Sequence, residues 1–278
     1  MMRRPVVLVV AGVVLALTAG VAWALTGKEP EVPASVAAKS PNPDDIASFV
    51  TARVFFGHQS VGSNVIAGAE SLFSGQSQAL TVVETRDVVP DEGGFLAHAH
   101  VGVNGDPFGK FDDFASIIDG PLGMEVDVAI LKLCYVDVTA GTDVQRVFDA
   151  YSALMERLEA DHPKVRFIYT TVPLSTDWSW KQVVKSWIGR DDQMGPADNV
   201  AREQYNQLVR QRYGDTGRLF DIAAIESTLE DGPTLRTLNG RNYYVLHGGL
   251  ASDPGHLNDL GSRVAATELI RVVAAQVS

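Results

Sequence analysis

Two short segments near opposite ends of the chain carry residues that could do chemistry together. The first, Gly57-His58-Gln59-Ser60-Val61-Gly62-Ser63-Asn64, follows an apolar run and leads into Val65, Ile66, Ala67, Ala69 and Leu72 at helical spacing. It therefore predicts Ser60 at a strand-to-helix turn, where unpaired N–H groups and the helix dipole favour negative charge. Ser60 in that place is either the helix cap or a nucleophile whose oxyanion has a donor waiting. The second segment is Ser252-Asp253-Pro254-Gly255-His256-Leu257-Asn258. A carboxylate three residues before a histidine, across a Pro-Gly turn, can reach the imidazole, fix its tautomer and leave the other ring nitrogen for a nucleophile. Asp253 as a plain cap and His256 as a surface residue is the alternative. Taken together, an early strand-end serine and a late Asp-x-x-His point to acyl transfer through a Ser-His-Asp triad.

Other side chains fit competing chemistries. His98-Ala99-His100, with His58, His247, His256 and strand-end aspartates, supplies enough imidazole and carboxylate for a metal-dependent hydrolase built on the His98/His100 pair. His-x-His by itself is weak evidence, and that reading leaves Ser60 idle. Cys134, the single cysteine, stands in an apolar run and reads as a buried strand residue rather than a nucleophile; no intramolecular disulfide can form. Trp178, Trp180 and Trp187 either stack on sugar rings at a cleft mouth or pack onto the body of the protein.

The elements that must position these residues alternate along the chain. Strand-like runs fall at Arg53–Phe56, Leu80–Glu84, Val126–Leu133, Arg166–Thr171 and Leu219–Asp221, and Val128-Ala129-Ile130-Leu131 suits a parallel strand covered on both faces. Between them, Val144, Val147, Phe148, Tyr151, Leu154, Met155 and Leu158 form a helical stripe, with Thr142 and Gln145 placed as a capping box. A second helix runs from about Asp198 to Tyr213 and stops at Gly214, and a last one follows His256. This alternation predicts a three-layer α/β/α sandwich around a mostly parallel, five-stranded sheet, with ligands at the carboxyl ends of its strands.

The turn containing Ser60, the Asp253-Pro254-Gly255-His256-Leu257-Asn258 block and the intervening α/β order resemble the SGNH (GDSL-like) hydrolases, over roughly Arg53 to Val273. The resemblance implies a flavodoxin-like sandwich and an esterase with Ser60 as nucleophile, His256 as general base and then acid, and Asp253 as its orienting carboxylate. It implies no cofactor and no metal. Two blocks depart from the family pattern. The usual Gly-Asp-Ser is Gly57-His58-Gln59-Ser60 here, and the usual Gly-x-Asn-Asp is replaced by Leu133-Cys134-Tyr135-Val136-Asp137. Gly102 or Gly105 can then supply the second oxyanion donor and Asn104 a substitute amide, while His58 and Asp137 are further candidates to line the site. A carbohydrate-binding relative without turnover, or an O-acyltransferase, would keep the same fold.

Composition narrows the setting. The 278 residues are 46% hydrophobic and 21% charged, enough for one two-sided core, and the net charge of -11 argues against a nucleic-acid partner. Met1-Met2-Arg3-Arg4 followed by an uncharged run from Pro5 to Leu25 has the plan of an export signal, cleaved or kept as an anchor. Residues 26–45 read as a tether, and residues 46–278 as the domain, outside the cytoplasm in either case. The expected partner is a small-molecule or polysaccharide ester, with membrane attachment through the N-terminal segment as one of the two outcomes.

Overall fold

The computed structural model describes residues 41–74, 78–177, 193–229 and 232–277. The N-terminal segment and all three tryptophans named above lie outside them. Helix α1 (Pro43–Thr51) begins before Ile46, with Asn42 accepting from the Asp44 N–H as its cap. The chain then runs β1 (Arg53–His58), α2 (Val61–Phe73), β2 (Val82–Glu84), β3 (Phe95–His100), α3 (Pro107–Ile118), β4 (Val128–Leu131), α4 (Val144–Asp161), β5 (Arg166–Thr170), α5 (Pro196–Tyr213), β6 (Leu219–Phe220) and α6 (Ile222–Ser227). Short antiparallel ladders follow: β7 (Thr228–Leu229) with β8 (Gly232–Pro233), β9 (Leu235–Leu238) with β10 (Arg241–Tyr244), and β11 (Ala251–Asp253) with β12 (His256–Leu257). Helix α7 (Asp259–Val277) closes the fold.

Among the described residues the central sheet has six strands in the order β2-β3-β1-β4-β5-β6, all parallel, where five were expected. The additional strand is β3. Its two imidazoles interrupt the apolar run and mask a strand whose Phe95 and Leu96 serve opposite cores. Side-chain alternation divides every central strand in this way. Val54, Phe56, Val128, Ile130 and Ile168 pack toward α1, α2 and α7, whereas Phe55, Ala129, Leu131 and Phe167 face α3, α4 and α5. A strand buried on both faces needs apolar residues at consecutive positions, which is why β1 and β4 read as continuous runs.

The cap of α4 also differs from expectation. Asp143, not Thr142, accepts from the Arg146 N–H at 3.1 Å. Thr142 Oγ1 instead accepts from the Thr139 N–H, and Gln145 turns its amide to Asp149.

β1 is flanked by β3 on one side and β4 on the other, so the loops leaving these three strands meet at one edge of the sheet. Such an edge is where ligands bind in parallel α/β folds. The loops are Gln59–Ser60, Val101–Asp106 and Lys132–Val138.

Candidate active site

Ser60 starts α2 but does not cap it. Its side chain makes no capping hydrogen bond; its Oγ instead lies 3.4 Å from Cys134 Sγ, at the end of the neighbouring strand. The Gly62 and Ser63 N–H groups are taken by the carbonyls of Gln59 and Ser60, which leaves the N–H groups of Ser60 and Val61 without an acceptor among the described residues. Those two donors, at the positive end of α2, are what an oxyanion formed beside Ser60 would meet. Gln59 Nε2 donates to the carbonyls of Val101 and Gly102, both at 3.0 Å, and so fastens the serine turn to the loop after β3.

The Asp253–His256 turn is a tight hairpin between β11 and β12. His256 Nδ1 is 2.8 Å from Asp253 Oδ2, and the Gly255 N–H donates to Asp253 Oδ1 at 2.8 Å. Burial pushes the Asp253 carboxyl up, but the Gly255 N–H and the His256 imidazole outweigh it and hold the group below its ordinary value. The carboxylate thus occupies Nδ1, and Nε2 is the nitrogen left for another partner. The Leu257 N–H donates to Asn64 Oδ1 at 3.3 Å, joining the hairpin to the first turn of the helix that Ser60 begins. Thr176, after β5, ties the hairpin tip through its N–H to the Pro254 carbonyl at 2.9 Å.

The remaining sequence candidates fall elsewhere. Gly102 does not offer its N–H to a ligand, because that group donates to Asp113 Oδ2 at 2.7 Å. The Gly105 N–H is likewise spent, on Asp137 Oδ1 at 2.8 Å. Asp137 is fully buried rather than lining the edge: it also takes the Cys134 N–H at 2.6 Å and forms an ion pair with the equally buried Lys110 at 2.5 Å. Asn104 is exposed, with Oδ1 accepting from Lys110 Nζ at 2.9 Å, so its amide N–H₂ points away from that knot.

His58 is fully buried beneath α2. A Cβ at Gly62 would fall 2.3 Å from the His58 Cβ, so only glycine lets the helix cross there. His58 Nε2 is 3.2 Å from His98 Nδ1, and its ring also stands edge-on to His100. Burial first, then the Lys132 ammonium and the neighbouring imidazoles, push His58 down to about 3. These rings pair with one another; among the described residues no three His, Cys, Asp or Glu side chains converge as a metal-binding group.

The His58 shift has a consequence for stability. Between pH 6.5, where the imidazole ordinarily titrates, and about 3, the unfolded chain binds a proton that the folded protein does not. Stability from this group is therefore complete above the upper limit and is lost as pH falls through the window. His58→Gln is expected to shrink the difference between urea midpoints at about pH 7 and about pH 4.5. An unchanged difference would show that His58 is not the group responsible.

Sequence reasoning missed the buried cations that hold these loops. Arg202, on α5, donates through Nε to the carbonyls of Tyr135 (2.8 Å) and Val138 (3.2 Å) and through Nη1 to Ser175 Oγ and Asn199 Oδ1. Lys132 lies fully buried with Nζ donating to the Leu133 carbonyl at 3.0 Å, and burial pushes its ammonium down, while burial pushes Glu226 up to about 8.

No protein-family model matches the sequence, and no curated protein sequence matches it. Solved structures do share its architecture. A lipase/acylhydrolase from Enterococcus faecalis superposes with a TM-score of 0.50 at 8% sequence identity, over 82% of this chain and 97% of that one. A carbohydrate esterase family 3 protein from Talaromyces cellulolyticus follows at 0.44 and 14%, over 80% and 98%. The periplasmic domain of a lipopolysaccharide acetyltransferase from Salmonella ser. Paratyphi A gives 0.41 and 12%, over 81% and 86%. The protein thus shares its α/β/α fold with that lipase/acylhydrolase. At these identities the likeness is one of fold, and activity has to be judged from the site.

Proposed function

We propose that this protein is a serine esterase acting outside the cytoplasm, with Ser60, His256 and Asp253 as its triad. The observation that carries the proposal is the Asp253–His256 pair at 2.8 Å on a hairpin hydrogen-bonded, through Leu257 and Asn64, to the helix that Ser60 begins. In this mechanism His256 Nε2 takes the Ser60 proton as Oγ attacks the ester carbonyl, and the oxyanion is met by the Ser60 and Val61 N–H groups. His256 then protonates the departing alcohol, and the acyl group remains on Ser60. Water, deprotonated by His256, releases the acid. Where a sugar hydroxyl takes the place of water, the same steps transfer the acyl group.

The N-terminal charge pattern supports an extracytoplasmic site of action, where acyl groups, acetyl among them, on cell-surface polysaccharide are the accessible esters. A fluorophosphonate probe is expected to label the parent protein on Ser60, read by peptide mass, and to leave His256→Ala unlabelled, because only an activated hydroxyl reacts. A well-folded parent that takes no label argues for a binding protein. Activity lost to a chelator and restored by metal would instead favour the His98/His100 alternative.

A further inference from the structure

Two adjacent residues in the loop after β4 touch both halves of the proposed triad. Cys134 Sγ stands 3.4 Å from Ser60 Oγ, and the Tyr135 ring meets the His256 ring edge-on with centroids 6.1 Å apart. Tyr135 also occupies the space that a side chain at position 255 would need. A Cβ on Gly255 would lie 2.6 Å from Tyr135 Cζ and 2.8 Å from its hydroxyl oxygen. Both residues are buried and held from behind. Asp137 takes the Cys134 N–H at 2.6 Å, and Arg202 takes the Tyr135 carbonyl at 2.8 Å while its guanidinium stands 5.5 Å over the Tyr135 ring.

We infer that Cys134 and Tyr135 are positioning residues that set the alignment of Ser60 with His256, an inference that rests on the triad reading above. A hydroxyl has one proton and two lone pairs. With the Cys134 S–H donating to Ser60 Oγ, the serine keeps its own proton for His256. Tyr135, wedged against Gly255, stops the hairpin tip from sliding over the end of β4. Neither side chain needs to touch substrate for these effects.

The chain has one cysteine, so its S–H stretching band reports this contact alone. The band is expected at lower frequency in the parent than in Ser60→Ala, a comparison that alters neither positioning residue. In turnover, Cys134→Ala is expected to lower kcat about tenfold with KM held within about twofold, as loss of one hydrogen bond at the nucleophile requires, and Cys134→Ser to recover most of it. Gly255→Ala is expected to lower kcat about 100-fold in the parent but only about tenfold in a Tyr135→Leu background, because the two sites share one contact. An unshifted band, parent-like kcat in Cys134→Ala, or additive effects at positions 255 and 135 would each overturn this inference alone. An active Ser60→Ala protein would overturn the triad reading and this inference together.

Discussion

Ser60→Ala is expected to lower kcat on a nitrophenyl ester by about 10⁴-fold or more while leaving the thermal midpoint where it stands in the parent. The second half of that result is as informative as the first. A serine that caps a helix contributes about 0.5–2 kcal/mol to stability, so its removal should lower the midpoint. Ser60 makes no capping bond, and among the described residues its hydroxyl pairs with the weakly bonding thiol of Cys134. Loss of turnover at constant stability therefore separates a nucleophile from a cap. The reverse pattern, a lowered midpoint with activity kept, would remove Ser60 from the mechanism.

Asp137→Ala should be among the most destabilising single changes in the protein, by about 3–5 kcal/mol in urea unfolding, since it leaves a buried cation without its partner. The Lys110 ammonium would keep only Asn104, and the N–H groups of Gly105 and Cys134 would lose their acceptor. Because a carboxylate can be replaced together with its cation by apolar side chains of similar volume, Asp137→Leu combined with Lys110→Met should regain part of the loss. If Asp137 lined a substrate cleft instead, its removal would change KM and leave the unfolding midpoint alone.

How far the site could be read from the sequence depended on how local its determinants are. Asp253 and His256 are three residues apart, and their pairing follows from one short turn. Ser60 could be placed at a strand end, but whether it capped α2 was decided by Cys134, 74 residues away. β3 escaped notice because hydropathy registers an imidazole as polar, whereas His98 Nδ1 meets His58 Nε2 at 3.2 Å inside the fold. Arg202 escaped for a related reason. It lies on the inward face of α5 beside Ala201 and Tyr205, and its partners are carbonyls of the loop after β4, which no periodicity along α5 can announce. Gly102 shows the converse limit. A glycine after a strand looked like an oxyanion donor, and only the fold reveals that Asp113 already holds its N–H.

The β11–β12 hairpin has a consequence of its own. Asp253, His256 and the turn between them share one ladder, with Ser252 Oγ donating to the His256 carbonyl and Asn258 Nδ2 to the Gly249 carbonyl at its foot. Asp253 and His256 therefore travel as one body, whereas Ser60 is mounted on a different strand. Mechanical faults in this protein should fall into two kinds. Damage within the hairpin scrambles the proton's address on the imidazole, while damage to its moorings at Asn64 and Thr176 carries an intact dyad away from the serine.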